Sequence, residues 1–492
     1  MQQGSSKQTT KHTRPRQPLL QYGCRVVLML SLLLVFKTGF AQAPDTLTQL
    51  FNNHPTALTV RHILVSGNHQ TRRAIILREL TVVPGSRLPL DSTAEQVTKW
   101  NQLRLINTAL FTDVQVSIDT LSADSADLRV QVRERWYIWP EVSISLADRN
   151  LNVWINEMGA DWRRVNARVS LSHQNFRGNR ENLSLTGQVG YTQAAAISYR
   201  RPYVDKRQQH GIGAALQYSR NRETYFATDS NKLRFLRADT GYIFSRYQGE
   251  VSWSYRPGYV STHLLVLRLS RSIADQKLVA ENPDFFGNGR SSLSMAELQY
   301  RVDANHTDYW PYPMAGTKMV TMVTGRLINH STPGWQAQAR TELGIYHRLW
   351  WRFYGSGILR ARVSFPEVQP YFLRQAMGTG SEYVRGYEYY VVDGSHYGLG
   401  RLDLKLEALN HTFRNIPLRY LPVLQLRLYP KVFADAGWVK NLQPGNSFLN
   451  NRWLYTWGAG VDVVTAYDFR VRVEYAVNAL GQRNWFVHID AE

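Results

Sequence analysis

The sequence predicts a mainly β fold: a transmembrane antiparallel β-barrel of about 16 strands, preceded by one small α/β domain. Three observations carry this expectation. Apolar and polar side chains alternate with a period of two from Pro140 to the end of the chain. Aromatic residues are abundant, with 27 Tyr, 14 Trp and 18 Phe, although charged residues still make up 20% of the chain. The N-terminus has the features of an export signal.

Residues 1–43 read as a secretory signal peptide. Lys7, Lys11, Arg14, Arg16 and Arg25 form a basic region without an acid. The apolar run Val26 to Phe36, interrupted only by Ser31, is too short to span a bilayer. Ala41-Gln42-Ala43 then offers the small residues at which a signal peptidase cuts. Cys24, the single cysteine, precedes the apolar run, so a lipoprotein signal is not expected. The mature chain would contain no thiol, which excludes disulfides and cysteine metal sites. Residues 44–56 read as a linker.

From Ala57 to Arg135 the pattern is α/β. Val60 to Ser66 reads as a strand stopped by the turn pair Gly67-Asn68. Ile75, Ile76 and Leu80 fall at helical spacing, and Pro84-Gly85 ends that helix. Asp91-Ser92-Thr93 supplies N-caps for a second helix carrying Val97, Trp100, Leu103, Leu105, Ile106 and Leu110. Two alternating strands follow, Val114-Val116-Ile118 and Leu128-Val130-Val132, joined by the polar stretch 122–127. In order and spacing, residues 57–135 resemble a POTRA domain, the polypeptide-transport-associated module. The matching features are the strand ending in Gly67-Asn68, Ile75 with Arg78-Glu79, Gly85, Leu110-Phe111, Val114-Val116, and a last strand ending near Glu134.

The stretch 140–492 reads as the barrel. Leu402, Leu404 and Leu406 alternate with Arg401, Asp403, Lys405 and Glu407. Phe469, Val471, Val473, Tyr475 and Val477 alternate with Arg470, Arg472, Glu474 and Ala476. Alternation sends the two sets to opposite sheet faces. Charge at every second position suits a wet lumen, and closing the sheet leaves no unpaired edge in lipid. At roughly 20–24 residues per strand and connection, about 16 strands fit. Asn175-Phe176-Arg177-Gly178-Asn179 and Tyr312-Pro313-Met314-Ala315-Gly316 read as tight turns, and Asn221 to Asn231 as an outer loop.

Two further motifs carry a resemblance. Gly378-Thr379-Gly380-Ser381-Glu382-Tyr383 leads into Val384-Arg385-Gly386-Tyr387, and Phe433-Ala434-Asp435-Ala436-Gly437 follows about 50 residues later. Together with Asn175-Phe176-Arg177-Gly178, Arg200-Arg201-Pro202-Tyr203 and Tyr312-Pro313, they resemble the BamA/TamA superfamily, which joins POTRA domains to a surface-antigen type, 16-stranded barrel. The resemblance covers nearly the whole mature chain. It implies that Val384, Arg385, Gly386 and Tyr387 tip a long loop folded into the lumen, and that the Phe433–Gly437 strand meets this loop. An arginine in a confined lumen loses hydration and needs a carboxylate. Asp435 shares parity with Phe433 and Gly437 and is the first candidate partner, with Glu407 the second. Exchanging the charges of Arg385 and Asp435 is then expected to restore part of what either single change loses. The resemblance also implies a seam at which the first and last strands pair poorly. Val142, Ile144 and Leu146 stand on one side of it, Val487 and Ile489 on the other.

Chemistry of other kinds finds little support. The thirteen histidines show no His-x-x-x-His spacing, so no metal is expected, and no cofactor. Ser395-His396 after Asp393-Gly394 evokes a hydrolase, but neighbours on a strand point to opposite faces, and no enzyme is expected. The net charge of +20 falls to +14 without the six basic residues of the signal. The arginines of the remaining chain are scattered singly through alternating strands, so a membrane surface accounts for them and nucleic acid is not expected.

The resemblance implies an outer-membrane protein of a Gram-negative cell, with its small domain in the periplasm, that inserts or translocates client polypeptides. Outer-membrane lipid, unfolded clients and periplasmic accessory proteins or lipoproteins are the implied partners. A two-partner secretion pore and a passive porin or surface receptor are the alternatives. Two features depart from the family. The chain carries one POTRA-like unit where general assembly factors carry several, and it ends on Ala491-Glu492 and not on an aromatic.

Overall fold

The computed structural model describes residues 57–89, 92–148, 151–329, 334–414, 423–465 and 469–490. Residues 1–56, read from the sequence as signal peptide and linker, lie outside the described residues, as does Ala491-Glu492.

The small α/β unit comes first. It runs β1 (Ala57–Ser66), α1 (Arg73–Glu79), β2 (Arg87–Pro89), α2 (Ser92–Ile106), β3 (Phe111–Ser122) and β4 (Ser125–Glu134). The sheet order is β2-β1-β4-β3, with β1 and β4 parallel and the outer pairs antiparallel. The sequence pattern missed β2, because three residues are too few to show alternation. Alternate residues Val60, Ile63, Leu128, Val130 and Val114 turn inward against Ile75, Ile76, Val97 and Leu105. Tyr203, from a barrel turn, completes this core.

The barrel strands are β5 (Ile138–Leu146), β6 (Val165–Phe176), β7 (Glu181–Gly190), β8 (Thr192–Arg201), β9 (His210–Asn221), β12 (Phe244–Tyr255), β13 (Ser261–Ala274), β14 (Ser292–Asn305), β15 (Gly316–Ile328), β16 (Trp335–Trp350), β17 (Phe353–Phe365), β20 (His396–Leu406), β21 (Leu409–Arg414), β22 (Val423–Lys440), β23 (Trp453–Val464), β24 (Arg470–Asn478) and β25 (Arg483–Asp490). They form one closed antiparallel barrel. Both β20 and β21 pair with β22, so these two segments are one strand interrupted at Glu407-Ala408, and the wall has 16 strand positions.

The two faces of the wall divide as alternation requires. Val142, Ile144, Leu185, Leu216, Leu269, Leu327, Leu402 and Val432 are exposed on the outside. Arg401, Lys405, Lys431, Asp435, Asp462 and Glu474, from the opposite parity, are buried within. Outward tryptophans gather toward the two ends: Trp253, Trp350 and Trp351 near the α/β unit, and Trp162, Trp335, Trp453 and Trp485 at the far end. Such belts suit two membrane–water interfaces.

The wall is uneven in height. β16 and β22 contain 16 and 18 residues, whereas β5, β24 and β25 contain 9, 9 and 8. The barrel closes between β25 and β5. The two strands that meet there are among the shortest of the wall.

Far-end connections dome over the opening. Asn221 to Asn231, expected as an outer loop, is instead part of a hairpin of β10 (Glu223–Asp229) and β11 (Lys232–Arg237). Asn231, at its tip, is fully buried. Its amide donates to the Val391 carbonyl (2.9 Å) and the Ser447 hydroxyl (2.7 Å), and accepts from the Phe448 and Leu449 backbone N–H groups (2.9 and 3.1 Å). Helix α4 (Gln276–Glu281) adds Leu278 and Val279 to a cluster in which Phe285 and Phe286, just beyond its end, pack on Tyr371 and Phe372.

At the near end the α/β unit is clamped to the barrel turns. Glu79, the last residue of α1, is fully buried and accepts from Arg256 at 2.6 and 3.1 Å. Arg78 (3.3 Å) and Arg180 (3.7 Å) complete its cationic surround. Burial alone would raise the Glu79 pKa, but the charges of Arg256 and Arg180 overcome it and hold the carboxyl at about 2. Asn175 donates to the Thr71 hydroxyl (2.9 Å), and Asn107 donates to the Tyr259 hydroxyl (2.9 Å).

Candidate functional site

The connection 366–395, between β17 and β20, does not stay at the rim. It runs into the lumen as a packed body, with Met377, Val384, Tyr387 and Val392 buried against Leu399, Val439 and Leu454 of the wall. Short strands β18 (Gln375–Met377) and β19 (Val392–Asp393) pair and close its neck. Arg362 of β17 fastens that neck, donating to the Gln375 and Gly394 carbonyls at 2.6 and 2.8 Å.

Arg385 stands at the tip of this loop, 3% exposed. Its Nε donates to Asp435 Oδ2 at 2.9 Å, its backbone N–H donates to the same oxygen at 3.1 Å, and its Nη2 donates to Asp435 Oδ1. Nη1 faces Asp403 at 2.6 Å and Glu474 at 3.3 Å. The guanidinium plane lies 4.0 Å from the Phe433 ring centroid. One cation thus meets three carboxylates and an aromatic face, a set that uses the planar fork of arginine and that an ammonium could not match.

Strand register explains the convergence. Asp403 lies opposite Phe433, and Arg401 opposite Asp435, on neighbouring β20 and β22. Glu474 is two strands further on, across Gly460 of β23, whose lack of a side chain leaves the wall open between Lys431 and Glu474. Lys431 reaches across it to Glu474 (2.7 Å) and to Asp462 (2.6 Å). Tyr312, from a near-end turn, donates its hydroxyl to Asp462 at 2.8 Å. The knot therefore runs continuously from the lumen loop to the near end.

Two glycines let the backbones approach. At Gly437 an added Cβ would sit 2.4 Å from the Val384 side chain. Gly386 has φ +83°, and a Cβ there would meet the Thr456 hydroxyl at 2.9 Å. Its carbonyl accepts from the Asn478 amide at 2.7 Å, and Tyr387 accepts from the Ala479 backbone N–H at 3.2 Å.

Of the candidate partners, Asp435, Phe433 and Gly437 stand against the loop tip, while Glu407 does not. Glu407 sits where the β20–β21 strand breaks and pairs with Arg352 at 3.5 Å. Asp403, two periods of the alternation earlier, takes the place expected for it. Asp403 and Glu474 both belong to the alternating rows visible in the sequence, but their meeting depends on a register that alternation does not fix.

Along the proposed seam, Val142, Ile144 and Val487 point outward and are exposed, Leu146 is half-buried, and Ile489 pairs through its backbone with Val471. Helix α3 (Leu151–Asn156), which follows β5, leans across the top of this junction. Asn152 donates to the Trp485 carbonyl of β25, and Asn156 donates to the Tyr389 hydroxyl of the lumen loop at 3.0 Å. Tyr383 stacks on His488 and Tyr389 packs on Phe486, so the loop leans on the last strand as well.

No protein-family model and no curated protein matches this sequence. Among solved structures the chain is similar to CdiB from Escherichia coli, with a TM-score of 0.53 and 12% identity over 88% of this chain and 75% of that one. It also aligns with BamA from Haemophilus ducreyi lacking POTRA domains 1–3, at a TM-score of 0.48 and 15% identity over 87% of this chain and 83% of that one. CdiB from Acinetobacter baumannii aligns at a TM-score of 0.47 and 11% identity over 88% and 73%. At such identities, the likeness to the Escherichia coli protein is one of fold.

Proposed function

We propose that this chain is an outer-membrane protein of the BamA/TamA type that inserts or translocates client polypeptides, with residues 57–135 serving as a single periplasmic POTRA domain. The observation that carries this reading is the lumen loop held by Arg385 to Asp435, Asp403 and Glu474. A passive pore gains nothing from a plug fixed by so many desolvated charges. A barrel whose thin side must yield, while its interior stays in register, does. The knot braces β20 to β24, the wall leading up to the short strands at the β25–β5 junction. Freedom is then confined to the side at which a client strand would enter by edge pairing.

Photo-crosslinking residues placed at Val142 and Val487 test the reading in cells. Adducts to several nascent barrel proteins are the expected result. Adducts to one exported protein alone would replace insertion by a dedicated secretion pore. No adduct, together with steady ion conductance in a planar bilayer, would leave a porin.

A further inference from the structure

The lumen holds a second feature on the wall away from the Arg385 knot. A polar cavity of about 690 Å3 lies between the β12–β17 side and the dome. Arg246, Arg268, Arg326 and Arg362 line it, and among the described lining residues this side contributes one carboxylate, Glu297. Two other carboxylates reach the cavity, but both are engaged. Asp148 holds Arg164 at 2.7 Å, and Glu157 holds Lys232 at 2.8 Å.

The arginines are not equivalent. Arg268 binds Glu250 at 3.0 Å and Glu297 besides, and Arg326 shares Glu297 and donates to Gln338 at 3.2 Å. Arg362 is spent on the loop carbonyls. Arg246 Nε is shut off from solvent and has no hydrogen-bond partner among the described residues. A guanidinium stays charged and offers five donors, so leaving it enclosed among like charges is unfavourable. Gln217 and Gln248 add neutral polar groups to the same lining. A cavity of this size falls in the range of small-molecule sites, roughly 300–1,000 Å3.

We infer that Arg246, with Arg268, Gln217 and Gln248, forms a lumen site for a multivalent oxyanion, a ligand bearing phosphate or carboxylate groups. The geometry favours it because an oxyanion answers both the unpartnered Nε of Arg246 and the surplus of guanidinium over carboxylate on this wall. The site is separate from the Arg385 knot, and it stands whether or not the barrel acts on polypeptides.

Calorimetric titration of the full chain in detergent micelles, with inorganic pyrophosphate and with citrate, tests it. Saturable binding that weakens with salt is expected, and Arg246→Gln should weaken it about tenfold or more. Binding of pyrophosphate alone would assign the site to phosphate groups, and binding of both would assign it to oxyanions at large. Arg271→Gln, on the outer face of β13, should bind as the parent does. If Arg246→Gln fails the heat-modifiability check for a folded barrel, Arg246→Lys carries the comparison, with weaker binding again expected. Absence of saturable binding by the parent, or equal binding by the folded Arg246 variant, would overturn the assignment.

Discussion

Asp435 receives Arg385 through one carboxylate oxygen twice over, from the guanidinium Nε at 2.9 Å and from the backbone N–H at 3.1 Å. Side chain and main chain of the loop tip are thus fixed by the same group on the wall. Removing the arginine would leave Asp435, Asp403 and Glu474 close together without their shared cation. Arg385→Ala should cost roughly 3–5 kcal/mol of loop docking. Limited proteolysis within 366–395 is expected in the variant while the barrel still inserts. Parental protection and parental activity would remove the latch from the account.

The surround of Arg385 also decides the outcome of a charge exchange. With Asp435 as sole partner, Arg385→Asp combined with Asp435→Arg would restore the pair. Asp403 and Glu474 face the same loop position, so the new aspartate would meet two carboxylates. The double variant should therefore be no better than Arg385→Ala in growth complementation. Recovery of function would show that Asp435 alone carries the contact.

Gly437→Ala tests close approach without touching a charge. The new methyl would lie 2.4 Å from Val384, so the loop must move off the wall. A loss of about 1–3 kcal/mol is expected from this overpacking, read as a lower temperature for the heat-modifiable shift of the barrel. An unchanged transition would mean that the loop gives way at no cost.

Glu79 makes the docking of the α/β unit dependent on pH. Its carboxyl is held at about 2 against an ordinary 4.5, so the folded pKa is depressed. The stabilisation is fully present above about 4.5 and is lost as pH falls toward 2, on the order of 3 kcal/mol in all. Spin labels on the α/β unit and the barrel should report constant separation from pH 7 to 5 and release below 4. Glu79→Gln should release the unit at neutral pH. Constant separation in that variant would show that the other turn contacts suffice.

Asn231→Ala should loosen the dome. Four hydrogen bonds converge on this one amide, joining the β10–β11 hairpin to 391 and to 447–449. Their loss strands buried backbone N–H groups at about 1–3 kcal/mol. Increased conductance in a planar bilayer, with parental levels of inserted barrel, is the expected sign. Conductance equal to the parent would place the seal in the aromatic cluster around Phe285 and Tyr371.

The period of two after Pro140 determined the barrel, because closing a sheet with one wet and one apolar face requires that pattern and little else does. It also determined which residues face inward, including Arg401, Asp403, Asp435 and Glu474, whereas Arg385 was singled out as a cation in need of a carboxylate only because its motif resembles the lumen-loop signature of the BamA/TamA superfamily. Helical spacing and turn pairs were enough to place the α/β unit, apart from a three-residue strand too short to alternate. What the sequence could not supply was register. Whether Asp403 or Glu407 reaches the loop depends on how β20 slides along β22 and where that strand breaks, and each inward residue has the same local pattern. The same holds for Glu79, noted in the sequence only as part of the POTRA-like pattern, whose role comes from Arg256, 177 residues away, and for Asn231, whose loop tip turns inward only because distant segments complete its hydrogen bonds. Parity is a local property of the chain, whereas contact between distant strands is decided only when the whole sheet closes.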